Sequence, residues 1–464
     1  MILKWIRRVI LTLLVIGVAG ALGVIGYMLN TRQPRQLSVA AFGHLRYYPA
    51  WFKPRGFVYL FSGSQGWSAA EETTARDLAR SGHIVMGVDT PEFLATQNPL
   101  DGCIFMPGVL EDFSRPWQRD AQLPQYLGPA LLGSDAGATL LYEAQLSAPP
   151  TAFSAAVVID PQTKVAMRRP FCDHPAQSSA DGVQTVQSEK PGLNVPLTIV
   201  SSADASKAQQ SFAAAIPGQT PAKVGTDVPL HRTYIRTLTA MEEEARRSGV
   251  ADLPLAVVPA ITGSGTKEAP ESCAKGFAVF YSGDGGWRDL DRSLAGILAS
   301  KGMSVAGLDM LRYYWKEKKP DEAAPDLARI IRYYGAHWHC SKVVLIGFSF
   351  GADVLPFLVT RLPNELRQKV VLLTLLSPER TTAFEIEVNG WLGGQPKAGV
   401  PIGPEVKKLE GLRIQCIYGA DESSNSLCTN SVAGSLTVIK KPGGHHFDQN
   451  YKELADEIEA AEPP

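Results

Sequence analysis

Short apolar runs rich in Val, Ile, Leu and Phe alternate along most of the chain with longer stretches in which apolar residues recur every three or four positions. The runs include FVYLF (57–61), HIVMGV (83–88), FAVFY (277–281), SVAGL (304–308) and VVLI (343–346). Runs this short, with no polar alternation, predict strands covered on both faces. The intervening stretches AAEETTARDLARSG (69–82) and DLDRSLAGILASKG (289–302) have the spacing of amphipathic helices. Strand and helix in alternation predict a parallel sheet flanked by helices, an α/β fold.

The pattern occurs twice. GFVYLFSGSQGW (56–67) returns as GFAVFYSGDGGW (276–287), and SGHIVMGVD, ending at Asp89, returns as KGMSVAGLD, ending at Asp309. Both pairs are 220 residues apart, so the copies are whole domains. Between them, residues 247–272 become rich in Gly, Pro, Ser and Thr. The organisation expected is one domain over 40–250, a linker over 251–273 and a second domain over 274–464. Residues 316–326, KEKKPDEAAPD, read as a solvated loop before the helix that leads to the next strand.

The N-terminus departs from this pattern. Lys4, Arg7 and Arg8 precede Val9–Leu29, which holds no charge. About 20 apolar residues cross a bilayer as a helix, and basic residues ahead of it leave the N-terminus cytoplasmic. Residues 1–30 are therefore expected to be a transmembrane signal anchor, with residues 30–38 as a stalk outside. A cleaved signal peptide is the rival reading, but its Ala19-Gly20-Ala21 site falls inside the apolar run.

The run VVLI leads into Gly347-Phe348-Ser349-Phe350-Gly351. A G-x-S-x-G turn between strand and helix exposes a serine nucleophile in α/β-hydrolases, and its partners follow in the order acid, then histidine. Downstream, LRIQCIYGADES reads as a strand followed by Asp421, with Glu422 competing, and SLTVIKKPGGHHFD as a strand followed by His445 and His446. The expected triad is Ser349, Asp421 and His445. The oxyanion hole would combine the N–H of Phe350 with one from the loop SGDGGW, at Asp284 or Gly285. Trp287 is expected either to line the pocket or to join the core. The first copy has GSDAGAT (133–139), with Asp135 in the place of the serine, Asp204 opposite Asp421, and only His231 as a stand-in base. The fold expected is thus two tandem α/β-hydrolase-like domains behind an N-terminal transmembrane anchor, the first copy degenerate.

Charge and cysteine narrow the function further. A net charge of −1 offers no basic excess for nucleic acid. The six cysteines lack zinc-ligand spacing; in an exported chain they read as disulfides whose pairing the sequence leaves open. Neither a metal nor a cofactor is expected.

The basic anchor, YSGDGGW, GFSFGAD and GADES…PGGHHFD together resemble the AcvB/VirJ family of bacterial virulence-associated proteins, over essentially the whole chain. That resemblance implies a periplasmic serine hydrolase on the inner membrane, which removes lysine or alanine from aminoacylated phosphatidylglycerol. It carries Ser349, Asp421 and His445 over as the site, with type IV secretion as a second family role. A periplasmic or secretion-system protein partner would then meet residues 40–250. A protonated substrate amine would favour a nearby carboxylate, for which Asp284, Asp353 and Glu379 are candidates beside the expected loops. A general carboxylesterase of the same fold, or a binding adaptor that keeps the fold as a scaffold, are the alternatives.

Overall fold

The computed structural model describes residues 32–461 apart from 124, 150, 173–176, 179–181, 187–195, 217–221, 224–228, 248, 251, 262–272, 274, 387–398 and 430–435. The expected anchor, residues 1–30, lies outside them; among the described residues no helix is long and apolar enough to cross a membrane. The described residues group into two compact units. One comprises residues 32–121, 129–147 and 153–239, the other 122–128, 148–152 and 240–461.

The first unit is built on strands β1 (Arg35–Val39), β2 (Gly43–Tyr48), β3 (Gly56–Phe61), β4 (His83–Val88), β5 (Ala130–Ser134), β6 (Ala155–Ile159), β7 (Leu197–Ser201) and β8 (Ala222–Lys223). They lie in the order β1-β2-β4-β3-β5-β6-β7-β8. β2 runs antiparallel to both of its neighbours, and β3 to β8 are mutually parallel. Helix α1 (Ala69–Arg80) begins at Ser68, which closes a capping box with Glu71. Helix α2 (Asp135–Leu146) follows β5 directly.

The second unit repeats the arrangement one strand shorter. Its strands are β9 (Leu255–Val258), β10 (Phe277–Tyr281), β11 (Ser304–Leu308), β12 (Val343–Phe348), β13 (Val370–Leu376), β14 (Ile414–Gly419) and β15 (Thr437–Lys441). The order is β9-β11-β10-β12-β13-β14-β15, antiparallel only at β9. All six residues of β12 are buried, as a strand covered on both faces requires. Helices α4 (Pro320–His337) and α5 (Phe350–Val359) cover one side of the sheet with Leu327, Ile331 and Leu355. Helices α3 (Asp289–Ser300) and α6 (Tyr451–Ala461) cover the other with Leu294, Leu298, Leu454 and Ile458. The run 316–326, expected to be a loop, is one only to Lys319; Pro320 opens α4, where its missing N–H costs no hydrogen bond.

The strand order, with its single crossover at β3/β4 and a parallel run beyond, is that of the α/β-hydrolase fold in both units. Three disulfides tie it together: Cys103–Cys172, Cys273–Cys340 and Cys416–Cys428.

Candidate active site

Chain reversal at the end of β12 places Ser349 at φ 51° and ψ −121°. A non-glycine residue held there stores backbone strain of about 1–3 kcal/mol, so its surroundings must over-determine it. They do: the Ser349 N–H donates to Leu376 O at 2.9 Å, and its carbonyl accepts from Asp353 N–H at 3.0 Å. Gly351 is the residue that permits the turn, since a Cβ there would run into the carbonyls of Tyr281 and Ser282. Helix α5 thus starts against the end of β10.

The acid and the base arrive on the loops after β14 and β15, where the fold puts them. His445 Nδ1 lies 2.5 Å from Glu422 Oε1. A carboxylate on Nδ1 selects the tautomer whose Nε2 carries the lone pair. The imidazole packs on Phe348, the residue before the nucleophile, with ring centroids 5.1 Å apart. Ser377, at φ 47° beyond β13, donates its hydroxyl to His445 O at 3.4 Å; nothing in the sequence singled it out. Among the described residues no hydrogen bond joins Ser349 Oγ to His445, and such bonds commonly tighten only around substrate.

The expected acid, Asp421, is displaced by its neighbour. The Asp421 N–H donates to Gly443 O at 3.1 Å, which joins the acid loop to the histidine loop through the backbone and leaves the Asp421 side chain exposed. One step further along the short 3-10 turn Ala420–Glu422, the longer side chain of Glu422 reaches the ring. Its second oxygen is buried without a partner among the described residues. The disulfide Cys416–Cys428 closes the segment that carries it. His446 is exposed, as expected for the histidine that turns away.

The loop SGDGGW lies against the elbow: a Cβ on Gly283 would sit 3.6 Å from Ser349 Cβ. Its turn closes with Gly286 N–H on Gly283 O at 3.1 Å, and the first unit repeats it with Gly66 N–H on Gly63 O at 3.1 Å. That first copy shows where the loop's amides aim. Asp135, at φ 51° like Ser349, accepts from the Ser64 N–H at 3.0 Å and from the Ser64 hydroxyl through Oδ2, while Gln162 donates to Oδ1. Ser64 corresponds in the repeat to Asp284. The geometry therefore favours the Asp284 N–H over that of Gly285 as partner to the Phe350 N–H. In the first unit both carboxylate oxygens are engaged, Asp204 is exposed, and His231 makes no hydrogen bond to Asp135 among the described residues. Among the described residues no histidine is hydrogen-bonded to Asp135.

Trp287 is not a pocket residue. It is 2% exposed, packs edge-on against Phe280 at 5.4 Å, and stands over Gly307, where any Cβ would strike the indole. Trp67 and Gly87 do the same in the first unit. The glycines were visible in the repeated MGVD and AGLD segments, and their pairing with the tryptophans was the missed signal.

Three carboxylates gather beside the nucleophile. Asp353, one turn into α5, is buried, and its Oδ1 accepts from the Glu379 N–H at 2.8 Å. Burial pushes its carboxyl well above the usual carboxylate range; the Glu379 N–H opposes the rise, and the charges of Glu379 and Asp284 add to it. Glu379 and Asp284 are themselves exposed. Beneath the loop, burial pushes the Asp291 carboxyl up to about 8, with the Arg288 N–H opposing and the Asp309 charge adding. No group of His, Cys, Asp and Glu able to hold a metal occurs among the described residues.

Among solved structures, the chain is similar to Est1E from Butyrivibrio proteoclasticus (14% identity, 45% of this chain and 93% of that one, TM-score 0.34). It is likewise similar to a putative thioesterase from Silicibacter sp. TM1040 (16%, 50% and 94%, TM-score 0.31) and to MenH from S. aureus (12%, 45% and 97%, TM-score 0.32). These likenesses are too low to add to the strand order. No curated protein matches the chain in sequence. The family model described as bacterial virulence protein (VirJ) matches residues 275–461. The segment that carries Ser349, Glu422 and His445 thus lies within the stretch that matches the VirJ family of bacterial virulence proteins.

Proposed function

We propose that the second unit is a serine hydrolase that cleaves the aminoacyl ester of lysyl- or alanyl-phosphatidylglycerol. The observation that carries the hydrolase reading is the strained Ser349 elbow with the Glu422–His445 pair on the two loops that follow in chain order. Ser349 Oγ attacks the ester carbonyl while His445 Nε2 takes its proton, and Glu422 stabilises the imidazolium that forms. The N–H groups of Phe350 and Asp284 receive the oxyanion. Collapse returns the proton to the departing glycerol hydroxyl, which frees phosphatidylglycerol and leaves the aminoacyl group on Ser349. Water, activated by His445, then releases the amino acid.

The substrate class rests on the match to the VirJ family together with the carboxylates Asp353, Glu379 and Asp284. An α-ammonium beside the scissile carbonyl would meet that negative cluster, and its charge would offset the cost of ionising buried Asp353. Three disulfides accord with an oxidising compartment such as the periplasm, where the expected anchor would hold the site near the headgroups. The first unit, with its carboxylate in the oxyanion position, is read as a non-catalytic module available to a protein partner. An adaptor role for the whole chain would leave the Glu422–His445 pair without a purpose.

The test is amino-acid release from lysyl- and alanyl-phosphatidylglycerol in detergent micelles by the full chain and by Ser349→Ala, with a p-nitrophenyl ester alongside. Release that vanishes in the variant supports the whole reading. Ester cleavage without lipid cleavage rejects the lipid, and inactivity of a folded protein on every substrate rejects the hydrolase.

A further inference from the structure

At one edge of the first unit the loop after β2 folds onto the C-terminal end of α1, where the Trp51 N–H donates to Ala79 O at 2.9 Å. This fold-back leaves Phe52 69% exposed beside exposed Lys53. Arg32 reaches over both rings, its guanidinium carbon 5.8 Å from the Trp51 centroid and 6.0 Å from that of Phe52. Arg80 covers Trp51 from the helix at 5.4 Å. Arg32, Trp51, Arg76 and Arg80 line one shallow pocket. Two carboxylates answer the four cations Arg32, Lys53, Arg76 and Arg80, Glu72 bonded to Arg76 at 2.7 Å and Asp77 to Arg80 at 2.7 Å. The patch keeps a net positive charge around one large exposed apolar ring.

We propose that this patch docks the first unit on an anionic bilayer surface, with Phe52 entering the headgroup region and Arg32, Lys53, Arg76 and Arg80 meeting lipid phosphates. The inference rests on the reading that Val9–Leu29 lies in a bilayer. Arg32 follows Leu29 by three residues, which span at most about 11 Å. Arg32, which covers the two rings, is therefore held within about 11 Å of the point where the apolar run ends. Guanidiniums bind phosphate oxygens in bidentate fashion, and aromatic rings beside basic residues are the usual composition of an interfacial anchor. A soluble protein partner has no corresponding reason to be met where the chain leaves the apolar segment. Docking there would hold the first unit against the membrane rather than leave it to swing on the stalk.

The full chain is placed in nanodiscs of pure phosphatidylcholine, or of phosphatidylcholine with phosphatidylglycerol. All six cysteines are disulfide-bonded, so Phe52→Cys supplies the one thiol for an NBD label. Leu100→Cys, at a residue 89% exposed elsewhere in this unit, is the control position. Expected is a blue shift at position 52 in phosphatidylglycerol discs only, quenched by doxyl-labelled lipid and reversed by 0.5 M NaCl at a Debye length of about 4 Å, with no change at position 100. Adding Arg32→Gln and Lys53→Gln lowers the docked-to-undocked ratio about 25-fold, about fivefold for each charge removed. Equal emission at position 52 in both kinds of disc, shifted or not, overturns the proposal. Co-elution of the chain with phosphatidylcholine discs reports separately on residues 9–29. Association with phosphatidylglycerol discs alone would reject the anchor and keep the patch.

Discussion

Replacing Glu422 by Gln keeps the shape of the side chain and removes the charge that faces His445. In the transition state for acylation the ring becomes an imidazolium, with Oε1 2.5 Å from Nδ1 in the resting structure. Both side chains are part-exposed, at 36% for the histidine and 28% for the glutamate. An effective dielectric of about 20 is therefore the appropriate scale. Unit charges whose centres lie about 4 Å apart then attract by about 4 kcal/mol. At about 1.4 kcal/mol per decade this is roughly a thousandfold in rate. The amide can also turn its NH2 to Nδ1 and favour the wrong tautomer, which costs about 10⁴-fold in the serine-protease triad. Glu422→Gln should therefore lower kcat for ester hydrolysis by about 10³–10⁴ with KM little changed. Asp421→Asn should stay within a few-fold of the parent, because its role is carried by its backbone N–H. The rate of covalent labelling of Ser349 by a fluorophosphonate reads the same chemistry without any assumption about substrate. If Asp421→Asn loses more than Glu422→Gln, or Glu422→Gln keeps a tenth of the parent rate, the assignment of the acid is wrong.

Asp353→Asn should be more stable than the parent at pH 8 and equal to it near pH 4. The carboxyl's folded pKa lies above its unfolded value, so the unfolded chain ionises first and stability drains away as pH rises from about 4. Differential scanning calorimetry should show a gain of a few degrees in Tm at pH 8, and the variant should cleave neutral esters while losing preference for those bearing an α-amine. Asp291→Asn should flatten a second pH dependence, a loss of up to about 1.4 kcal/mol per pH unit between about pH 4 and the raised pKa of about 8, levelling above it; denaturant titrations at pH 5, 7 and 9 would show a constant difference if this is wrong. Cys428→Ser opens a loop 12 residues long around Glu422; loops of that size are worth about 3 kcal/mol at 25 °C in the chain-entropy model, and the variant should lose stability on that scale together with Ser349 labelling rate.

Much of this could be read along the chain, because its information is local. The 220-residue repeat, the glycines that flank Ser349 and the order serine, acid, histidine are set by strand–turn–helix units that each occupy consecutive residues. So is the departure of the first copy, where Asp135 stands at the elbow. What needed the tertiary structure was every choice among near neighbours. Asp421 and Glu422 are adjacent on one short turn, and only the docking of the Gly443 carbonyl onto the Asp421 N–H sends one side chain to solvent and the other to the ring. Trp287 joins the core because Gly307, 20 residues away, leaves the space that its indole fills. Asp353 becomes a buried acid because the chain beyond β13 returns over it and donates the Glu379 N–H. A sequence pattern establishes which residue types recur at a given spacing along one element. Burial and charge at a site arise from the approach of elements distant in sequence, and no single-element pattern encodes that approach.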